Sequence, residues 1–74
     1  MQPTSLKAGQ KWTDKRYWIV IIRQDTEIGL VQDFYDLDSN LRLTSQTFGI
    51  DFLLKHNFIC ISKNVKLSDF EEVF

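Results

Sequence analysis

The chain has 74 residues with one cysteine and one histidine, and its formal net charge at pH 7 is −1. This composition excludes an internal disulfide and a four-ligand zinc site built from cysteine and histidine. No apolar run reaches the length of a membrane span. We expect one cytoplasmic domain over residues 1–74, without metal or cofactor, whose core covers 6–62 and depends on its ten aromatic side chains or on self-association.

Charge is unevenly distributed along the chain. Residues 1–24 hold five basic side chains and one acidic one, whereas residues 25–38 hold five acidic side chains and no basic one. Residues 39–66 are again mainly basic, and residues 67–74 are acidic. This alternation favours antiparallel strands whose charges pair across the sheet, and it leaves open a functional basic face formed by the first segment.

The first strand is predicted at 6–12, where apolar and polar residues alternate loosely. Gly9 predicts a bend or bulge within it, and Trp12 should anchor it in the core. A polar turn at 13–15 then leads to a run of apolar and aromatic residues at 16–24. Since four of these side chains are β-branched, the run predicts a central strand that is packed on both faces.

Two further strands and a clear turn follow the central strand. A third strand is predicted at 28–35, and the Asp-, Ser- and Asn-rich segment 36–40 predicts a turn, because these side chains hydrogen-bond to nearby backbone. Strict alternation over 41–45 predicts a half-exposed fourth strand with Leu41 and Leu43 pointing inward.

The hydrophobic period changes from that of a strand to that of a helix after the fourth strand. This change predicts a short helix at 47–56 with Ser45 or Thr47 as its N-cap and Asn57 as a left-handed stop. The apolar segment 58–62 predicts a last, buried strand. The expected fold is therefore mainly β, with about five antiparallel strands in a barrel or bent sheet and one short helix before the last strand.

The extension at 63–74 ends in apolar residues. Its segment 68–71 fits a capping box and predicts a short helical turn that presents Phe70, Val73 and Phe74. Two roles remain open for these side chains, since they can fold back onto the sheet or dock on another chain.

Few residues in the sequence suggest metal binding or catalysis. Asp36, Asp38 and Asn40 have the spacing of the first ligands of an EF-hand, but the required glycine and glutamate do not follow, so an aspartate-centred turn is favoured over calcium binding. His56 lies at a predicted helix end, and Cys60 alternates with isoleucines as a small apolar residue does. We therefore expect a protein that is not an enzyme.

The order of predicted elements resembles the SH3-like small β-barrel class over residues 6–62. It is also similar to short uncharacterised bacterial and phage proteins. The motifs that carry the resemblance are Gly9-x-x-Trp12, the strand at 18–22, Phe48-x-x-x-Phe52-Leu53 and Phe58-Ile59-x-Ile61. The acidic and aromatic groove motif of SH3 domains that bind proline-rich peptides is absent from the sequence.

Two binding functions are compatible with these observations. The first is an interaction module that binds a protein partner, or a second copy of itself, through an exposed sheet edge or through Phe70, Val73 and Phe74. The alternative is weak binding of single-stranded nucleic acid by interleaved basic and aromatic residues. The residues proposed for this alternative are Lys11, Lys15, Arg16, Tyr17 and Arg23.

Overall fold

The computed structural model describes residues 2–26 and 29–66, which form a mainly β domain. In chain order its elements are β1 (Lys11–Thr13), β2 (Trp18–Thr26), β3 (Gly29–Asp36), β4 (Arg42–Thr47), α1 (Ile50–Lys55) and β5 (Ile59–Ser62). The predicted helix before the last strand is confirmed. The helical turn predicted at 68–71 lies outside the described residues.

The five strands form one antiparallel sheet in the order β4-β3-β2-β1-β5. The predicted central strand is confirmed, because β2 lies in the middle and pairs with both β1 and β3. The sheet does not close into a barrel, so β4 and β5 are its two edges.

Residues 19–22 of β2 are buried on both faces, as their β-branched composition predicts. Alternate side chains of a strand point to opposite faces, so Val20 and Ile22 face one side while Ile19 and Ile21 face the other. On the first side, Val20 and Ile22 belong to the main core, together with Trp12, Phe34, Leu53 and Phe58. On the second side, Ile19 and Ile21 pack with Tyr35, Leu37 and Val65. Since Leu53 comes from α1, the helix covers the first face.

The inward orientation predicted for Leu41 and Leu43 is wrong. Both side chains are exposed, at 67% and 53% respectively. The register shifts where Phe34 pairs with Thr44 and Tyr35 pairs with Arg42, which leaves Leu43 as the extra residue of a β-bulge. Because a bulge breaks the two-residue period, the alternation in the sequence does not give the direction of the side chains.

The start of the helix also differs from the prediction, whereas its end agrees. Ser45 and Thr47 belong to β4, and the N-cap is Gly49, which makes no side-chain cap hydrogen bond. Asn57 has φ 63°, so the predicted left-handed stop is confirmed.

The first strand is shorter than predicted, because the chain turns at residues 8–9 and pairing with β2 as a strand begins at Lys11. Gly9 has φ 95°, and its N–H donates to the Ile22 carbonyl oxygen at 2.9 Å. Its own carbonyl accepts from the Val65 N–H at 2.8 Å. Gly9 therefore holds three segments together at a backbone angle that other residues rarely adopt. Trp12 is fully buried, as predicted, and its indole N–H donates to Gln10 Oε1 at 3.1 Å.

Candidate functional site

A tight turn joins β1 to β2, and the carboxylate of Asp14 organises it. Asp14 Oδ1 accepts from the backbone N–H groups of Arg16, Tyr17 and Trp18 at 2.9, 3.0 and 3.1 Å. Thr13 supports the turn, because its hydroxyl donates to the Trp18 carbonyl oxygen at 2.9 Å. These bonds fix the positions of the two aromatic residues that follow the turn.

The same hydrogen bonds lower the pKa of Asp14. Partial burial raises the pKa of its carboxyl, but donation by the backbone N–H groups outweighs burial and holds the pKa below its ordinary value. Asp14 therefore carries a full negative charge at neutral pH.

Aromatic rings extend from this turn to helix α1. Trp18 packs edge-on against Phe34 with ring centroids 5.2 Å apart. Phe34 in turn contacts Phe48 and Phe52 at 5.7 and 6.1 Å, and Phe48 and Phe52 stack at 4.1 Å. The His56 ring lies 4.5 Å from that of Phe52. Packing against buried Phe34 restrains the rings of Trp18, Phe48 and Phe52.

A cavity of about 270 Å³, partly open to solvent, lies between the turn and the helix, and we call it the aromatic groove. Tyr17 is 68% exposed and Trp18 39% exposed, so both rings can contact a ligand. The volume lies just below the roughly 300–1,000 Å³ of small-molecule sites, and it suits one inserted side chain. The lining residues are Asp14, Tyr17, Trp18, Phe52, His56 and Phe58.

The structure separates the residues predicted for nucleic-acid binding into two groups. Lys15, Arg16 and Tyr17 are exposed together on the Asp14 turn. Lys11 pairs with Ile21, three residues along β2 from Trp18, and this spacing places it about 10 Å from the turn.

Arg23 also lies away from the turn, further along β2. Its Nε is 3.1 Å from Asp33 Oδ2, and Arg42 Nε is 3.7 Å from Asp33 Oδ1. These ion pairs link β2, β3 and β4 in the way that the charge alternation predicts. The acidic segment therefore offsets the positive charge of Arg23.

The predicted partner-binding residues Phe70, Val73 and Phe74 lie outside the described residues. The two sheet edges differ from each other. At the β5 edge, the Gln2 side chain accepts from the Cys60 N–H at 2.6 Å and donates to the Cys60 carbonyl oxygen at 3.1 Å, so it covers part of that edge. The β4 edge is six residues long and mostly exposed.

Asp36 forms the aspartate-centred turn that the sequence favours over a calcium loop. Its Oδ1 accepts from the N–H groups of Asp38 and Ser39, both at 2.9 Å, and from the Ser39 hydroxyl at 3.1 Å. Within 2–26 and 29–66, no three potential metal ligands of the Asp, Glu, His and Cys types cluster together. Cys60 is half-buried, and its thiol donates to the Ser62 carbonyl oxygen at 3.2 Å.

Sequence reasoning identified only Tyr17 among the residues that line the groove. Trp18 was expected in the core and His56 at a helix end, and neither was expected to form a surface cavity. One signal was present: Phe52 and His56 are four residues apart, so a short helix places both rings on one face.

Comparison of the chain with protein-family models, curated proteins and solved structures gives no match. In the part of the chain that the structure describes, no helix is long and apolar enough to cross a membrane.

Proposed function

We propose that the chain is a non-catalytic interaction module that binds a segment of a protein partner in the aromatic groove. The observation that carries this proposal is the exposure of Tyr17 and Trp18 beside a cavity. Aromatic side chains supply large contact areas at low cost in conformational entropy, and they are enriched where proteins bind each other. A cytoplasmic location is part of the same proposal.

The groove is better suited to binding than to catalysis. Asp14 is its carboxylate, and the lowered pKa makes that carboxylate a weak general base at neutral pH. The three amide bonds to Oδ1 fix the turn before any ligand arrives. A fixed surface loses little conformational freedom on binding, which favours affinity.

The exposed β4 edge provides a second contact surface for the same kind of partner. An extended peptide can add to such an edge through main-chain hydrogen bonds. Strand β4 is mostly exposed, whereas Gln2 covers part of the β5 edge. Strand addition is therefore expected at β4.

A selection experiment tests this function directly. A random peptide library is selected on the wild-type chain, and peptides that also bind the Tyr17→Ala variant are removed. We expect the remaining peptides to shift the backbone NMR resonances of 14–18 and 52–58. If the selection enriches no peptide that binds the wild-type chain and fails to bind the Tyr17→Ala variant, the proposal is overturned.

Single-stranded nucleic-acid binding is a second candidate, supported by the joint exposure of Lys15, Arg16 and Tyr17 on one turn. It ranks lower because Asp14 lies in the same turn and Asp33 pairs with Arg23. Its test is a titration with a labelled oligonucleotide at about 50 mM and 200 mM salt. Binding that weakens with salt and with Lys15→Glu or Arg16→Glu would support it, and no binding at the lower salt would remove it.

A further inference from the structure

We infer that the side chain accepted by the aromatic groove is cationic, that is, the lysine, methylated lysine or arginine of a partner protein. This inference rests on the proposed function and adds the chemistry of the ligand. It follows from the charge of the groove, the arrangement of its rings and its size.

The groove has a negative charge at one side. Asp14 is ionised at neutral pH, and it is the acidic residue among the six that line the cavity. Lys15 and Arg16 follow it in the turn, but neither belongs to the lining. Asp14 therefore attracts a cationic group in the cavity, and its own charge disfavours a phosphate or carboxylate group there.

The rings add a second attraction for a cation. The face of an aromatic ring carries partial negative charge, so a cation within about 6 Å of the ring centre is stabilised, most strongly by Trp and Tyr. Tyr17 and Trp18 supply these two ring types, and Phe52 and Phe58 line the same cavity. Because Trp18 packs edge-on against Phe34 at 5.2 Å, its orientation is restrained before binding.

The size of the cavity agrees with such a ligand. About 270 Å³ accommodates the end of one long side chain. The alkyl part of a lysine or arginine contacts apolar rings while its charged end stays near a carboxylate and water. An apolar side chain would fill the same volume without using the charge of Asp14, so it provides the competing outcome.

A matched pair of small probes separates the cationic ligand from the apolar one. Choline carries a trimethylammonium group, and dimethylbutanol replaces that group with an uncharged tert-butyl group of the same shape. Both are titrated into the full chain at low salt while NMR follows the indole N–H resonances. Trp18 lines the groove and Trp12 is fully buried, so groove binding shifts Trp18 and leaves Trp12 unchanged.

We expect choline to bind about two- to fivefold more tightly than dimethylbutanol, the range that cation–π attraction gives at exposed sites. Asp14→Asn should weaken choline binding about threefold and leave dimethylbutanol binding unchanged. Asparagine retains an oxygen that can accept the same amide bonds, so this variant removes the charge and keeps the turn.

Asp36→Asn is the matched control, because Asp36 organises a similar turn and does not line the groove. We expect it to retain the wild-type preference for choline. Tyr17→Leu provides a second variant that removes a ring from an exposed position, and it should reduce the preference without unfolding the chain.

The outcomes also distinguish this inference from the proposed function. The inference of a cationic ligand is overturned if the two probes bind with equal affinity. It is also overturned if Asp14→Asn leaves the preference for choline intact. If selected peptides still bind the groove in that case, the interaction function stands with an apolar ligand. If choline shifts only the resonances of other surfaces, the inference is likewise overturned.

Discussion

Two aspartate-centred turns lie side by side at one end of the sheet and have different surfaces. Trp18 pairs with Asp36 in the strand register, and the Leu37 N–H donates to the Tyr17 carbonyl oxygen at 2.8 Å. In each turn, one carboxylate oxygen of the aspartate accepts hydrogen bonds from the backbone that follows it. Both turns therefore reverse the chain with the same arrangement of hydrogen bonds from the backbone to an aspartate carboxylate.

The residues after each aspartate account for the difference. Tyr17 and Trp18 follow Asp14 and form the wall of a cavity, whereas exposed Asp38, Ser39 and Asn40 follow Asp36. In both turns the carboxylate holds the backbone, and the neighbouring side chains determine whether the turn borders a cavity. The Asp36 turn therefore serves as an internal control for the Asp14 turn.

The largest expected effect comes from removing the support beneath the groove. Phe34 is buried and contacts the rings of Trp18, Phe48 and Phe52. Phe34→Ala should lower the free energy of unfolding by about 3–5 kcal/mol, because it leaves a cavity in the core. Urea denaturation measures the loss, with Phe34→Leu as the milder control. A loss below about 1 kcal/mol would contradict the packing described for this ring.

A smaller effect is expected from removing each turn carboxylate. Asp14→Ala leaves three backbone N–H groups without their acceptor and should lower the free energy of unfolding by about 1 kcal/mol. Asp36→Ala should act in the same direction. Only the Asp14 variant should also weaken ligand binding. Equal loss of binding in both variants would show that the two turns act as one unit.

The stability contributed by both aspartates should depend on pH. Hydrogen bonds from the Ser39 and Asp38 N–H groups and from the Ser39 hydroxyl lower the pKa of Asp36 and outweigh the small rise caused by desolvation. At Asp14, burial raises the pKa, but the backbone donors outweigh burial and the pKa is lowered. A carboxyl whose folded-state pKa is depressed contributes stability that is present above its unfolded pKa, about 3.9, and is lost as pH falls through the folded value.

Urea denaturation at a series of pH values checks this sign. The difference between wild type and Asp14→Ala should stay constant from about pH 7 to pH 5 and then shrink at pH values below about 4. A difference that grows on acidification would contradict the lowered pKa.

The smallest effect on stability is expected at the exposed ring of the groove. Tyr17→Ala should change the free energy of unfolding by no more than about 0.5 kcal/mol, because most of this side chain contacts water. It should nevertheless weaken binding of the selected peptides. A large loss of stability would mean that Tyr17 is a packing residue and does not belong to the binding site.

The strands could be predicted from the sequence to the extent that their burial is regular. The β-branched run in β2 is buried on both faces, and its central position follows from that pattern. The alternation at Leu41 and Leu43 was misleading because a bulge at Leu43 changes the pairing with β3. A bulge depends on the partner strand, which the local sequence does not reveal.

The groove was missed for a related reason. Tyr17 and Trp18 begin the same apolar run as buried Ile19 and Val20; this run assigns Trp18 to the core, and it does not indicate a groove beside Tyr17. Their exposure follows from their position at the Asp14 turn and the start of β2, and the groove forms where this turn lies next to the helix. This contact joins residues about 35 positions apart in the chain, and no local pattern encodes it.

Chemical-shift mapping of a selected peptide on the two turns tests directly whether the aromatic groove is the binding surface. We expect the amide resonances of 14–18 and 52–58 to shift together in a saturable titration, while those of 38–40 stay unchanged. Shifts confined to β4 or to 36–40 would contradict it and would place the binding surface outside the aromatic groove.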